Sequence, residues 1–334
     1  MMHQIKAERY IIPEQKRVRV IIDSDANCEC DDQYAIVHAL LTPKVQVMGL
    51  IAEQYGEPDS MEQSFQELWR ICRLGGFDTA LVHRGIPRAL SAEGESRGGV
   101  DTVEPDQGAQ DMECPDQEAE GIDFLIHEAL RRDPRPLFVI CQGALTNVAS
   151  ALRKRPEIAA RMLLVVVGGC NYPKGGYEFN TMNDPFAFNA VMNSPVPIWM
   201  LPEEVYATMQ AGMAELADKL LPCGEIGRYL VENTFRTVDR MWKKIPDDSR
   251  ADPYGYAIGF PNGESWSLGD SVGIGVLLSH YSGSFQEVKA PNVAEDGTYF
   301  FRKNPKTIRW YRDINQRLIL EDLFAKMKES YGKK

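Results

Sequence analysis

The sequence predicts an α/β fold: a mostly parallel, mixed central sheet flanked by helices, with a Rossmann-like core. Two observations lead there. Short aliphatic and β-branched runs alternate with segments whose apolar residues recur at i, i+3 and i+4. This β-α alternation argues for a largely parallel sheet covered by helices on both faces. Polar clusters follow several of those runs, where ligands bind in parallel sheets.

In chain order, the first run (Val18, Val20, Ile21, Ile22) stops at Asp23, and a helical pattern follows with Ala35, Ile36, Ala39 and Leu40. Residues 45–51 form the second strand and 60–75 an amphipathic helix. A short strand over 80–83, a helix over 121–132, a strand over 137–141 and a helix over 147–154 come next. A buried strand over 163–167, a helix over 185–192 and a strand over 197–201 continue the alternation. Helices are expected over 214–221, 226–243, 268–280 and 314–328, and late strands over 285–288, 298–302 and 307–311. Residues 91–120 are rich in Gly, Asp, Glu and Gln; they read either as a mobile flap beside a site or as a plain surface excursion. No internal repeat or linker composition interrupts the chain, so one domain over residues 1–334 is expected.

With 334 residues, 44% hydrophobic and 25% charged, the chain can bury a large core. A net charge of −11 argues against a nucleic-acid backbone or an anionic membrane surface as partner, while leaving a nucleotide-sized ligand open. No apolar run approaches membrane-spanning length, and the first residues lack the apolar core of a signal peptide. Seven scattered cysteines read as reduced thiols of a cytoplasmic protein. Cys28-x-Cys30 has the wrong spacing for a usual zinc knuckle, and no later pair completes it.

The first strand runs into Asp23-Ser-Asp25-Ala-Asn-Cys-Glu29-Cys-Asp31-Asp32. So many like charges at a strand end repel one another, and a hard cation such as Ca²⁺ or Mg²⁺ among oxygen ligands relieves that repulsion. The competing reading is a solvated loop that caps the helix, with Asp31 as N-cap and the acids complementing the dipole. The order strand, Asp-x-Asp, loop, Asp-Asp, helix favours the cation. Further polar clusters stand where strands should end: Gln142-Gly-Ala-Leu-Thr-Asn147, Gly168-Gly-Cys-Asn171, Glu178-Phe-Asn180, Asp184-Pro185 and Gly269-Asp270-Ser271. All would gather on one edge of a parallel sheet.

These motifs resemble the calcium-dependent, inosine–uridine-preferring nucleoside hydrolases over most of the chain. Asp23-x-Asp25 and Asp31-Asp32 match the two acidic pairs of the family's Asp-x-Asp-x-Gly-x-Asp-Asp opening. Gln142-Gly-Ala-Leu-Thr-Asn147 is similar to its Thr-Gly-Pro-Leu-Thr-Asn, and Val167-Gly-Gly169, Glu178-Phe-Asn180 and Asp184-Pro185 resemble its later blocks. The resemblance implies Ca²⁺-dependent hydrolysis of the N-glycosidic bond of a ribonucleoside or related N-riboside. It implies Asp25, Asp32, Asp270 and the Gln142 carbonyl as metal ligands, with Asp25 also the general base. Asp31, Glu178, Asn180, Asn171 and Glu57 would face the substrate, and Asp23 would orient the loop. It also implies a homodimer or homotetramer.

The sequence departs from the pattern in three places. Residues 26–30 are two longer than the family's gap and lack its glycine. Gly56-Glu57 stands where an asparagine often contacts the ribose, and a carboxylate accepts but cannot donate. Gly269 replaces a histidine, and the five histidines (3, 38, 83, 127 and 280) offer no obvious substitute. His38 and His280 read as helix residues of core or surface. Trp266, Tyr254 and Tyr256 fit either base stacking or core packing. Two alternatives stay open: a Ca²⁺-dependent nucleoside or sugar binder without turnover, and a haloacid-dehalogenase-type phosphatase built on Asp23-Ser-Asp25.

Overall fold

The computed structural model describes residues 10–90, 119–244, 255 and 258–332. Most of the acidic stretch expected as a flap, together with Tyr254, Tyr256, His3 and Cys114, lies outside the described residues. The strands are β1 (Val18–Ser24), β2 (Val45–Ala52), β3 (Val82–Arg84), β4 (Leu137–Gln142), β5 (Met162–Val167), β6 (Ile198–Leu201), β7 (Gln210–Gly212), β8 (Ser265–Ser267), β9 (Gly283–Lys289), β10 (Asn292–Val293), β11 (Tyr299–Phe300) and β12 (Thr307–Ile314). The helices are α1 (Asp32–Leu40), α2 (Ser60–Gly75), α3 (Glu120–Leu130), α4 (Thr146–Lys154), α5 (Phe179–Asn183), α6 (Pro185–Asn193), α7 (Glu203–Tyr206), α8 (Met213–Leu220), α9 (Gly224–Trp242), α10 (Ser271–Leu278) and α11 (Gln316–Tyr331).

Eight strands form the main sheet in the order β3-β2-β1-β4-β5-β6-β12-β9. Neighbours are parallel except β9, which runs antiparallel to β12 and closes one edge. Every residue of β1 is buried, which explains why its residues are apolar apart from Arg19, which is paired with Glu128, and the polar end at Asp23 and Ser24. Its side chains divide by alternation. Val20 and Ile22 join the core under α1, α2, α9 and α10, whereas Ile21 joins the core under α3, α4 and α6. Chain order reverses between β1 and β4, so a crevice opens outside their carboxyl ends. There Ser24 pairs with Gln142, and the Asp25 N–H donates to the Gln142 carbonyl at 3.2 Å.

Three expectations change. The strand predicted over 80–83 is confined to Val82–Arg84, after a 3-10 turn over Thr79–Leu81. The helix predicted over 268–280 begins at Ser271, because Leu268–Asp270 form the turn that leads into it. The strand predicted over 298–302 shrinks to Tyr299–Phe300, paired with β10 outside the main sheet. The six described cysteines are all free thiols. His38 is fully buried, its Nε2 lying 2.7 Å from Asp322 Oδ2, so it ties α1 to α11. His280 is exposed. Trp266 is buried against Phe260 and is a core anchor.

The small residues of α10 let it pack closely. A Cβ on Gly273 would lie 2.6 Å from Ile140 Cγ2, and one on Gly275 would lie 2.2 Å from Ile319 Cδ1. Overpacking a dense core costs about 1–3 kcal/mol. Gly273→Val is therefore expected to lower the urea midpoint by that stability. It should also weaken whatever the N-terminus of α10 does, because the helix must back away from β4. An unchanged midpoint would show that α10 is not held this tightly.

Candidate active site

The acidic loop closes into the crevice. Asp25 and Asp32 are 4% and 2% exposed, and Asp270 is 6% exposed. Ser24 Oγ donates to Asp32 Oδ1 at 2.5 Å, anchoring the first turn of α1 to the end of β1. Asp31 occupies the N-cap position of α1, yet its side chain makes no capping bond to its own helix. Instead Asp31 Oδ2 accepts the N–H of Asp270 at 3.1 Å, which joins the N-termini of α1 and α10. The Asp31 carboxylate is thus turned to α10 instead of capping its own helix. Both helix N-termini lend partial positive charge to the cluster.

One carboxylate oxygen from each of Asp31, Asp32 and Asp270 falls within 4.8 Å of the others. Asp25 stands beside that trio, and its Oδ2 is buried without a hydrogen-bond partner. Burial, then the charges of Asp270, Asp31 and Glu29, push Asp25 well above the usual carboxylate range. Burial followed by neighbouring aspartates does the same to Asp32 and Asp270. Burial raises Asp31 to about 6, against backbone hydrogen bonds that pull it down. Carboxylates are not held together in a dry pocket without a countercharge unless they are protonated. The oxygen-only donor set and the orphaned Asp25 oxygen fit a hard divalent cation. Asp31, expected to face the sugar, thus sits with the metal-type oxygens, while Asp25 lies outside the tight trio. The Gln142 carbonyl shares its oxygen with the Asp25 N–H.

The remaining expected residues fall in different places. Glu178 is buried and N-caps α5; its two oxygens accept from Gly169 N, Thr181 N, Thr181 Oγ1, Asn180 N and the Tyr206 hydroxyl. Asn180 is half-buried, and its Nδ2 donates to the Val167 carbonyl at 3.1 Å. Asn171 is exposed and left-handed (φ 49°), its N–H donating to Glu204 Oε1. Glu57 is exposed on the loop after β2; the neighbouring Gly56 approaches Asn183 so closely that a Cβ would lie 3.1 Å from its Oδ1. Among the described residues no histidine is hydrogen-bonded to the carboxylates.

Asp23 points below the crevice. Its Oδ1 accepts from Asn147 Nδ2 at 2.8 Å, its Oδ2 has no partner, and burial raises it to about 7. Asn147 also donates its backbone N–H to Glu53, a fully buried carboxylate at the end of β2 that burial and then Asp23 push well upward. Asp184 accepts from Leu90 N, Thr146 Oγ1 and Ala187 N and is raised by burial to about 6. Sequence reasoning missed Glu53 and Gln54. Their signal was available: two polar residues directly after the apolar run 45–52.

The profile of the family described as "Inosine-uridine preferring nucleoside hydrolase" matches residues 20–318. Among curated relatives, the chain is 27% identical over 197 residues to uridine nucleosidase 1 of Arabidopsis thaliana, covering 55% of each protein. It is 26% identical over 208 residues to a pyrimidine-specific ribonucleoside hydrolase of Salmonella arizonae, covering 59% of this chain and 64% of that one. The chain thus spans somewhat over half the length of these relatives. Among solved structures, a purine-preferring ribonucleoside hydrolase from Gardnerella vaginalis superposes with a TM-score of 0.71 at 20% identity, covering 94% of this chain and 99% of the other. An inosine-guanosine nucleoside hydrolase does so at 0.68 and 18%, covering 93% and 99%. With a profile match that runs from β1 into α11, the chain belongs to the inosine-uridine preferring nucleoside hydrolase family.

Proposed function

We propose that the protein hydrolyses the N-glycosidic bond of a ribonucleoside or related N-riboside in a Ca²⁺-dependent reaction, releasing base and sugar. We further propose that it works as one domain and as a homo-oligomer. The observation that carries the reading is the oxygen cluster of half-buried Asp31 and buried Asp32 and Asp270, beside the unpartnered Oδ2 of Asp25, in a chain of this family. Asp25, Asp32, Asp270 and the Gln142 carbonyl would hold the cation, with Asp31 within reach of both cation and sugar. Ca²⁺ supplies positive charge that lowers the pKa of a water and orients it.

The chain's own residues do the rest. Asp25, with one oxygen free, takes the proton of the attacking water as general base. The cluster's negative charge favours the oxocarbenium-like centre that develops as the bond to the base breaks. Asn180 and Asn171 provide amide groups at the sugar side. Glu57 sits at the rim, where it can accept but not donate. Asp23 and Glu53, joined through Asn147, brace the base of the crevice. A non-catalytic Ca²⁺-dependent binder is the second reading, favoured by the absence of a histidine at these carboxylates among the described residues. The phosphatase reading loses its footing because β8, the strand nearest before Asp270, pairs with β7 outside the main sheet.

Incubating the protein with Ca²⁺ and a panel of ribonucleosides should release reducing sugar. Asp25→Asn should lower kcat by about 10²–10⁴-fold, the span of a general base. Turnover of a phosphate ester without nucleoside cleavage would sink the proposal, and tight nucleoside binding without sugar release would select the binder.

Metal removal carries its own signature. The folded-state pKa values lie above the unfolded ones, about 6 for Asp31 and about 7 for Asp23 and Glu29. Such groups stabilise the fold at acid pH, and that stability is lost as pH rises through the folded values. Chelated protein is thus expected to melt lower at pH 8 than at pH 5.5. Ca²⁺ at about 100 times its Kd at pH 8 should add about 2.7 kcal/mol there, and the same concentration should raise Tm less at pH 5.5, where protonated carboxylates bind it more weakly. A Ca²⁺ effect that is absent, or larger at pH 5.5, would contradict a cation among these carboxylates.

A further inference from the structure

Tyr206, at the end of α7, is a half-buried aromatic that the sequence did not single out. Its backbone carbonyl accepts from Ser267 Oγ and from Met209 N, so the residue is fixed from below. Its ring lies against Gly269. A Cβ at that position would stand 3.1 Å from Tyr206 Cδ2 and 3.1 Å from Asp31 Oδ2. The ring therefore fills the notch that Gly269 leaves beside the carboxylate cluster. Its hydroxyl donates to Glu178 Oε1 at 3.0 Å.

The other contacts of Glu178 are what make that bond informative. A carboxylate offers about four lone-pair sites, two on each oxygen. Oε2 already accepts from Gly169 N at 2.8 Å, Thr181 N at 2.9 Å and Thr181 Oγ1 at 2.6 Å. Oε1 accepts from Asn180 N at 3.1 Å and from Tyr206. Four of the five donors belong to the turn that Glu178 caps or to the loop after β5, and the fold holds them in place. The fifth comes from a different element, α7, and from the residue whose ring lies against Gly269 beside Asp31. With Tyr206 in place, no acceptor on Glu178 is left for a substrate hydroxyl.

We propose that Tyr206 is a specificity-determining residue whose hydroxyl occupies, on Glu178, the place of one sugar hydroxyl of the substrate. This rests on the functional reading above. A sugar hydroxyl at that point meets the tyrosine oxygen, a neutral acceptor, instead of a carboxylate, and neutral bonds are roughly half as strong. The site then gains little from that hydroxyl and accepts N-ribosides in which it is missing or substituted.

The test compares kcat/KM for one ribonucleoside and its 2′-, 3′- and 5′-deoxy analogues, each with Ca²⁺, in wild type and Tyr206→Phe. For one of the three analogues, wild type should discriminate by no more than about threefold. The preference for the hydroxylated parent should grow by about tenfold in Tyr206→Phe, where Glu178 Oε1 is free to accept. Tyr206→Leu, which also removes the hydroxyl, should move the same ratio in the same direction. Calorimetric affinities for the four compounds should follow the kinetic ratios. If all three ratios are unchanged in an active, folded variant, the assignment of Tyr206 is overturned while the functional reading stands. If wild type neither cleaves nor binds any of the four compounds, the functional reading is overturned and this assignment goes with it.

Discussion

The structure depends on holding several carboxylates out of water at one point. Asp25, Asp31, Asp32 and Asp270 converge outside the carboxyl ends of β1 and β4, where the sheet reverses its strand order. An uncompensated buried charge is expensive, so everything nearby serves to offset that cost. Ser24 donates to Asp32, the Asp270 N–H donates to Asp31, and two helix N-termini point inward. Gly143 permits the close approach of β4 to Asp25, since a Cβ there would lie 3.0 Å from its carboxyl carbon. Gly269 does the same beside Asp31. What these devices leave unmet, above all the free oxygen of Asp25, is what a divalent cation would satisfy.

The buried acids divide by how fully they are hydrogen-bonded. Glu178 and Asp184 are saturated by backbone and hydroxyl donors, and they fix the geometry of α5 and α6. Asp25 and Asp23 each keep a bare oxygen. A saturated carboxylate is a structural clamp; of the two with a bare oxygen, Asp23 is still tied to Asn147, and Asp25 stands beside the oxygen trio. This contrast also places Tyr206: its hydroxyl completes a clamp that would otherwise face the sugar side of the crevice.

Most of the sheet was legible from residue pattern. The strand over 45–51 and the helix over 60–75 emerge within a residue of their predicted bounds, because each has the periodicity of its environment. The late chain was harder to read. Residues 298–302 have strand composition, but only Tyr299 and Phe300 form a strand, with Thr298 in an isolated bridge to Gly175, and all three pair outside the main sheet. Trp266 looked equally suited to a base or a core, and only its burial against Phe260 decides. Short helices such as 203–206 have too few residues to show a period.

From the sequence alone came the carboxylates, their place at a strand end, and the family's order of motifs, since these follow from local spacing and residue chemistry. Which carboxylates meet did not. Asp270 reaches Asp31 across more than two hundred residues, through a backbone N–H whose partner no side-chain pattern reveals. Glu53, Asn147 and Asp23 meet because parallel strands bring their ends together. Tyr206 meets Glu178 because α7 folds back over the end of β5, and Gly269 leaves it room. Hydrogen-bond saturation is a property of three-dimensional neighbours, so tertiary structure alone decides which acids are clamps and which are free to act.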